Sequence, residues 1–306
     1  MVASASDDDR ADVTEADRVG ATEPEASDRR GDDTGGRLFV VSTPIGNMGD
    51  ISLRALDVLR AVDLVLAEDT RHSRHLLTHH GIDTRLLSYH EHNEARATAT
   101  AMVRLREGRD VALISDAGTP LLSDPGARLV AAAAEAGIQV VPVPGASALL
   151  SALVAAAVST DRFTFFGFLS RKGRERDDAL RDLSELPHTG VLYEAPSRVA
   201  GTLAELVQRG AGSRRAVVAR ELTKQFEEVR RGTVAELAAY YADSPPRGEV
   251  VIVLAGRTRE APAEDELRTR ARELRDAGLS ARDVAATLVR EGGASRNLAY
   301  RLAHEA

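Results

Sequence analysis

From Leu38 onward, short apolar runs alternate with amphipathic stretches, the pattern of a largely parallel sheet flanked by helices. The runs fall at 38–42, 64–67, 86–89, 111–115 and 140–143, and helical spacing falls near 52–61, 71–79, 94–107, 126–136 and 146–157. These predict one α/β domain over 38–157. A second series begins at 163–168 and continues through 191–194, 216–221, 227–232 and 250–254, with helical segments at 174–184 and 197–208. The short Thr223-Lys224-Gln225-Phe226 connection joins the 216–232 pair as a hairpin, so a second, mixed α/β domain is expected over 158–256. Beyond Gly256, helical patterns at 263–277, 281–291 and 295–304 predict a small helical appendage over 257–306.

Residues 1–37 break the pattern. They hold eleven acids against five arginines and almost no large apolar side chains, so a disordered acidic tail is expected there. The tail also accounts for most of the net charge of −7, leaving a nearly neutral body that can still bind anions through local patches. At 306 residues, 43% of them hydrophobic, the chain can fill two ordinary cores. No run reaches the roughly 18 apolar residues of a membrane span, and no signal peptide is evident, so a cytoplasmic protein without a membrane partner is expected. The absence of cysteine excludes disulfides, thiolate nucleophiles and Cys-based metal centres. All but two of the 40 basic residues are Arg, which singles out Lys172 and Lys224.

Three strand ends carry small, bent loops. The first strand runs into Ser42-Thr43-Pro44-Ile45-Gly46-Asn47, after which Asp50 or Ser52 is placed to cap a helix. The fourth ends in Ser115-Asp116-Ala117-Gly118-Thr119-Pro120; the Asp124-Pro125 that follows reads as N-cap and first residue of the next helix. The fifth ends in Pro144-Gly145-Ala146-Ser147-Ala148. Each alone reads equally well as a tight turn. Three in one domain point to a ligand cleft at the carboxyl edge of the sheet, where α/β proteins bind ligands. None is G-x-G-x-x-G, so the ordinary dinucleotide fingerprint is missing.

These loops, together with Ala67-Glu68-Asp69-Thr70-Arg71, Tyr89-His90-Glu91-His92-Asn93-Glu94, Gly167-Phe168-Leu169 and Glu221-Leu222-Thr223-Lys224, stand in one order over about 38–256. The series resembles the small-subunit ribosomal RNA methyltransferase I family of the tetrapyrrole-methylase superfamily. Ser295-Arg296-Asn297-Leu298-Ala299-Tyr300-Arg301 is similar to that family's C-terminal helical piece. The resemblance implies a two-domain fold with S-adenosylmethionine in the cleft between domains and a homodimer. It also implies 2′-O-methylation of a cytidine ribose in the decoding region of 16S rRNA, on naked RNA or the 30S subunit. By the same resemblance Pro44, Gly46, Asp116, Gly118, Pro120, Gly145, Ser147 and Ala148 line the cofactor pocket. Two departures stand out: Ala146 where the family often has Pro, and Ser197 where it tends to have His.

Methyl transfer to a ribose oxygen needs alignment and a base rather than a metal, and none is expected. The candidates for the base are Glu68, Asp69, His90, Glu194 and Lys224, with Glu68, His90 and Lys224 as the predicted catalytic residues. Glu68 and Asp69 read equally well as caps of the next helix. Lys224 reads as an ammonium for RNA phosphate, as an amine made neutral by burial, or as a solvated turn residue. His72, His75, His79 and His80 share helical spacing, but a ligand set with fixed geometry is not evident. Arg71, Arg74, Arg171, Lys172 and Arg174 are the predicted RNA contacts, with Arg176, Arg214 and Arg215 further candidates; each also fits an ordinary polar surface. Phe168, Tyr193 or Tyr89 is placed to hold one extruded base. The rival readings are a tetrapyrrole methyltransferase of cobalamin or sirohaem synthesis and a non-catalytic ribosome-binding protein on the same scaffold.

Overall fold

A computed structural model describes residues 35–257, 263–290 and 293–306. Except for 35–37, the tail expected over 1–37 lies outside the described residues. Strands β1 (Leu38–Val41), β2 (Leu64–Ala67), β3 (Leu86–Ser88), β4 (Val111–Ile114) and β5 (Val140–Val143) form an all-parallel sheet in the order β3-β2-β4-β1-β5. The central strands β2, β4 and β1 are apolar throughout because both faces are covered. Leu38, Leu64, Leu66, Val111 and Leu113 pack under α3 (Glu94–Arg106) and α4 (Ala127–Glu135). The alternate residues Phe39, Val41, Val65, Ala67, Ala112 and Ile114 pack under α1 (Leu53–Ala61) and α2 (Thr70–His79).

Register then determines which loops meet. Val41 is level with Ile114 of β4 and Val143 of β5, so the chain leaves three adjacent strands side by side. On the other flank Leu66 pairs with Leu113 and Ala67 with Ser88, which brings Glu68 beside the ends of β4 and β3.

The second sheet comprises β6 (Phe163–Phe168), β7 (Thr189–Glu194), β8 (Arg215–Arg220), β9 (Glu228–Thr233) and β10 (Val250–Leu254), in the order β6-β7-β10-β8-β9. Only β6 and β7 run parallel; β8 and β9 form the expected antiparallel pair. One face carries α6 (Arg174–Glu185), α7 (Val199–Leu206) and α8 (Val234–Asp243). Helix α8 is not among the segments expected from the sequence, although Thr233 and Glu236 form a reciprocal capping box at its start. The expected 197–208 helix is broken: a 3-10 turn over Pro196–Arg198 precedes α7, and a widened turn with Gly210 at φ 82° follows it.

The opposite face packs on the first half of the chain. Val191, Val217, Ala219, Val251 and Val253 share a core with Ile45 and with Leu149, Ala152, Leu153 and Ala156 of α5 (Ala148–Ala155) and its C-cap. A helix apolar on nearly every side thus joins the two sheets. Helices α9 (Glu264–Asp276), α10 (Ala281–Arg290) and α11 (Arg296–Glu305) close on their own cluster, including Leu267, Val284, Leu288 and Leu302. Among the described residues no helix is long and apolar enough to cross a membrane.

Candidate active site

The three bent loops are bound to one another. Thr43 and Gly118 pair across an isolated antiparallel bridge, each N–H donating to the other's carbonyl at 2.9 and 3.1 Å. The hydroxyls of Ser42 and Thr119 lie 3.0 Å apart, and Thr119 donates to the Ala146 carbonyl at 3.3 Å. Gly118 sits at φ 82°, where a side chain is strained, and a Cβ there would lie 3.3 Å from Ile45 Cγ2. Leu121 and Ser123 in the same loop also have positive φ, at 73° and 71°. Such strain persists only where surrounding contacts hold it, and it gathers at functional sites.

Above these tips lies a cavity of about 360 Å³, a size suited to a small ligand. Ile45, Asp116, Gly118, Ser147 and Ala148 line it from the first half of the chain, and Phe168, Tyr193, Leu222, Glu249 and Val251 from the second. The walls are mainly apolar, with carboxylates at intervals. Pro44, Gly46, Pro120 and Gly145 are not among the lining residues. Pro44 and Pro120 are buried beneath the loops. A Cβ on Gly145 would come within 3.0 Å of Ser42 Cβ, and one on Gly46 within 2.4 Å of Lys224 Cγ. These two glycines allow close packing of neighbouring segments.

Three carboxylates converge, Asp116 and Asp124 from the loop after β4 and Glu68 from the end of β2. Asp116 accepts the backbone N–H of Asp69 at 3.0 Å, which holds it beside Glu68. Asp124, a lining residue, is pushed up to about 6 by burial and then by the charges of Glu68 and Asp116, with the Ser115 hydroxyl opposing. Glu68 is raised by burial and by Asp116, while His90 lowers it. His90 is half-buried; its backbone N–H donates to Asn93 Oδ1 at 2.9 Å, and its Nδ1 is buried without a partner.

Asp124 differs from the expectation drawn from its sequence. It is not an N-cap: α4 starts at Ala127 after Gly126, which has φ 138° and offers no side-chain cap. The carboxylate of Glu94 accepts the Gly126 N–H at 3.3 Å instead. Asp69, by contrast, is a cap. It accepts Arg71 N–H at 2.8 Å, pairs with the Arg71 side chain at 3.0 Å, and is held down at about 2 by those bonds. Asp69 is thus a poor base.

Two more candidates are occupied elsewhere. Glu194 is buried, accepting from Thr202 at 2.6 Å and Ala195 N–H at 2.9 Å while pairing with Arg198 at 2.8 Å. Burial would lower the pKa of Lys224, but bonds to Glu221 at 2.9 Å and Glu249 at 3.2 Å raise it overall. It is a cation, not a neutral amine.

The basic side chains divide. Arg71, Arg171, Lys172 and Arg174 are exposed, the last three in the loop and first turn that follow Phe168; Arg74, half-buried, pairs with Asp83 at 3.7 Å. Arg176 and Arg214 are not surface residues. Arg176 binds Glu205 at 2.7 Å and Thr202 at 3.0 Å, and Arg214 donates to the carbonyls of Leu183, Ser184 and Ala255. Tyr89 is buried with its hydroxyl on Glu94 and Thr98, whereas Phe168 and Tyr193 face the cavity.

The chain is similar to proteins of one family. The family model described as Tetrapyrrole (Corrin/Porphyrin) Methylases matches residues 37–238. Ribosomal RNA small subunit methyltransferase I of Synechocystis sp. is 45% identical over 273 residues, 88% of this chain and 98% of the relative. The protein of the same name from Pseudomonas aeruginosa is 48% identical over 274 residues, 88% of this chain and 96% of the relative. Among solved structures, a cobalt precorrin-4 methyltransferase superposes with a TM-score of 0.56 at 21% identity, over 72% of this chain and 94% of that one. Uroporphyrin-III C-methyltransferase from Thermus thermophilus, complexed with S-adenosylhomocysteine, superposes with a TM-score of 0.55 at 19% identity, over 72% and 97%. The likeness to these two carries the fold alone. With the family model covering the first sheet and four of the five strands of the second, and relatives near one-half identical across most of the chain, the protein belongs to the tetrapyrrole (corrin/porphyrin) methylase family.

Proposed function

We propose that the protein transfers a methyl group from S-adenosylmethionine to the 2′-oxygen of a cytidine ribose in small-subunit (16S) ribosomal RNA. The observation that carries this reading is the joining of three bent strand tips beneath a cavity that a set of carboxylates enters. It is supported by relatives named for the ribosomal RNA small subunit at 41–50% identity, against 16–23% for the superposed tetrapyrrole and diphthine enzymes.

The residues present suit this cofactor. Apolar walls at Ile45, Leu122, Ala148, Leu222 and Val251 accept its nucleoside and aliphatic parts, and Asp116 and Asp124 offer negative charge to a cation. The left-handed Gly118 lets the backbone come close to a ligand. When bound, S-adenosylmethionine supplies a methyl carbon on a positively charged sulfur, open to in-line attack by oxygen. Asp124, ionised above a pH of about 6, takes the proton of the ribose hydroxyl, and Glu68 with His90 at its side tunes that carboxylate. Lys224, held as a cation beside Gly46, meets an RNA phosphate, and Arg71, Arg74, Arg171, Lys172 and Arg174 are the further phosphate contacts of this reading.

The protein acts in the cytoplasm as a homodimer on this reading. Leu150 and Val154 of α5 are 52% and 81% exposed, an apolar strip suited to a second copy. The domain boundaries at 157/158 and 256/257 belong to the same reading. The test is to map ribose methylation in small-subunit rRNA from cells lacking the protein. One cytidine should lose its 2′-O-methyl group and regain it when purified protein and S-adenosylmethionine are added to the subunits; a complete modification profile in those cells would remove the proposal.

A further inference from the structure

A second cavity, of about 500 Å³, shares Gly248 as a wall with the first. It is lined by Phe226 and Glu228 of the hairpin, Tyr240 and Tyr241 at the end of α8, and Pro246 and Arg247 leading to β10. The partition is bare backbone: Gly248 has φ 82°, and a Cβ there would come within 2.1 Å of Glu221 Oε1.

Its chemistry is unlike the rest of the surface. Only 4% of the residues are aromatic, yet Phe226 and Tyr240 stand here 66% and 41% exposed. The Arg230 guanidinium lies 3.7 Å over the Tyr240 ring. Arg220 and Arg230 neutralise Glu228 at 2.9 and 2.8 Å, and Lys224 neutralises Glu221 at 2.9 Å. Arg247 adds a further cation on the lining, placed to meet an anionic group. Tyr241 is only 2% exposed, and its hydroxyl is buried with no hydrogen-bond partner; Arg230 lies near without the geometry of a bond. A buried hydroxyl without a partner is uncommon and points to a missing acceptor.

We propose that this cavity holds an unpaired base of the substrate RNA next to the nucleotide being methylated. The base stacks on Phe226 and Tyr240, its polar edge accepts the Tyr241 hydroxyl, and Arg247 meets its phosphate. Aromatic rings with interspersed arginines are how proteins hold unpaired bases. The proposal rests on the reading of the protein as a ribosomal RNA methyltransferase, and the shared Gly248 wall sets a base held here next to the cofactor cavity.

The test is fluorescence anisotropy with a short, labelled, unpaired oligoribonucleotide carrying the small-subunit sequence around the methylated cytidine. Phe226→Ala and Tyr240→Ala should each weaken binding about tenfold, in line with loss of one stacked base, and Tyr241→Phe severalfold. Affinity for S-adenosylmethionine, measured by calorimetry, should be unchanged in all three, which also reports that they fold. Removing the one neighbouring base from the oligonucleotide should weaken the unsubstituted protein equally and Phe226→Ala no further. Binding within twofold of the unsubstituted protein in both alanine variants, the same abasic loss in Phe226→Ala, or no binding by the unsubstituted protein overturns the proposal. Methyl transfer to small subunits, assayed in parallel, separates the two readings: its absence beside variant-sensitive RNA binding sinks the enzymatic function and leaves the base cavity standing.

Discussion

Thr43 and Gly118, 75 positions apart, exchange both backbone hydrogen bonds at 2.9 and 3.1 Å, so the loops after β1 and β4 behave as one piece. Gly118 takes φ 82° without strain because it lacks a Cβ, and the nearest obstacle to one is Ile45 Cγ2 at 3.3 Å. Gly118→Ala should cost on the order of 1–3 kcal/mol of stability through the forced backbone. It should also weaken S-adenosylmethionine binding by tenfold or more, since Ile45 and Gly118 both line the cavity. Thermal unfolding and calorimetry on the same preparation check the two effects; an alanine variant that binds cofactor normally would mean that the tip does not touch it.

Asp124 sets a pH expectation. Burial and the neighbouring charges of Glu68 and Asp116 hold its pKa at about 6, above the ordinary aspartate value. The base is the ionised form, so turnover should be steady at pH 7–8 and fall as the pH drops through 6. Asp124→Asn should remove that acid limb and lower kcat by about 10²–10⁴-fold. The stability effect runs the other way: a raised carboxyl pKa penalises the folded state above the unfolded value, and the penalty is relieved as pH falls. Asp124→Asn should thus stabilise the protein at pH 8, by on the order of 1 kcal/mol after solvent screening, and by less at pH 5. A variant with an unchanged rate profile would clear Asp124 of any part in the reaction.

The parts of this site that could be read from sequence are those set by local backbone chemistry. Pro and Gly at three strand ends announce bent loops wherever the rest of the chain lies, and parallel register then brings the loops together. Asp124 could not be read, because whether it caps α4 depends on Glu94, some thirty residues earlier, taking the Gly126 N–H first. Arg176 and Arg214 looked like phosphate contacts for the same reason: their carbonyl and carboxylate partners lie on other elements. Helix α8 was legible in Thr233 and Glu236 but was obscured by the hairpin before it.

Glu194 and Arg198 test the distinction between a catalytic carboxylate and a buried structural one. Glu194 lines the cavity, yet its oxygens are filled by Arg198, Thr202 and the Ala195 N–H. Arg198→Ala would strand a buried charge, and losing one partner of such a pair costs about 3–5 kcal/mol. Because Thr202 and Ala195 still donate, the expected loss is toward the lower end, read as a fall in the denaturant midpoint at unchanged slope. Replacing Glu194 and Arg198 together by Gln and Met should recover much of that loss. A double variant as unstable as the single one would show that Arg198 acts through its bond to the Leu169 carbonyl instead.

Lys224 carries the sharpest separation of binding from turnover. Its stem crosses Gly46 so closely that a Cβ there would meet Lys224 Cγ at 2.4 Å, while its ammonium is anchored by Glu221 and Glu249 rather than by any cavity wall of the first sheet. Lys224→Ala should leave cofactor affinity within about twofold, because Lys224 does not line the cavity. It should raise the KM for small subunits and reduce the salt dependence of binding by about one phosphate contact. Lys224→Arg keeps the charge but swaps a compact ammonium for a planar fork in a slot cut for a narrow stem, so it should restore the salt slope without restoring full affinity. If Lys224→Ala lost cofactor binding with its salt slope intact, the residue would belong to the cofactor site and the phosphate role would pass to the exposed Arg171, Lys172 and Arg174.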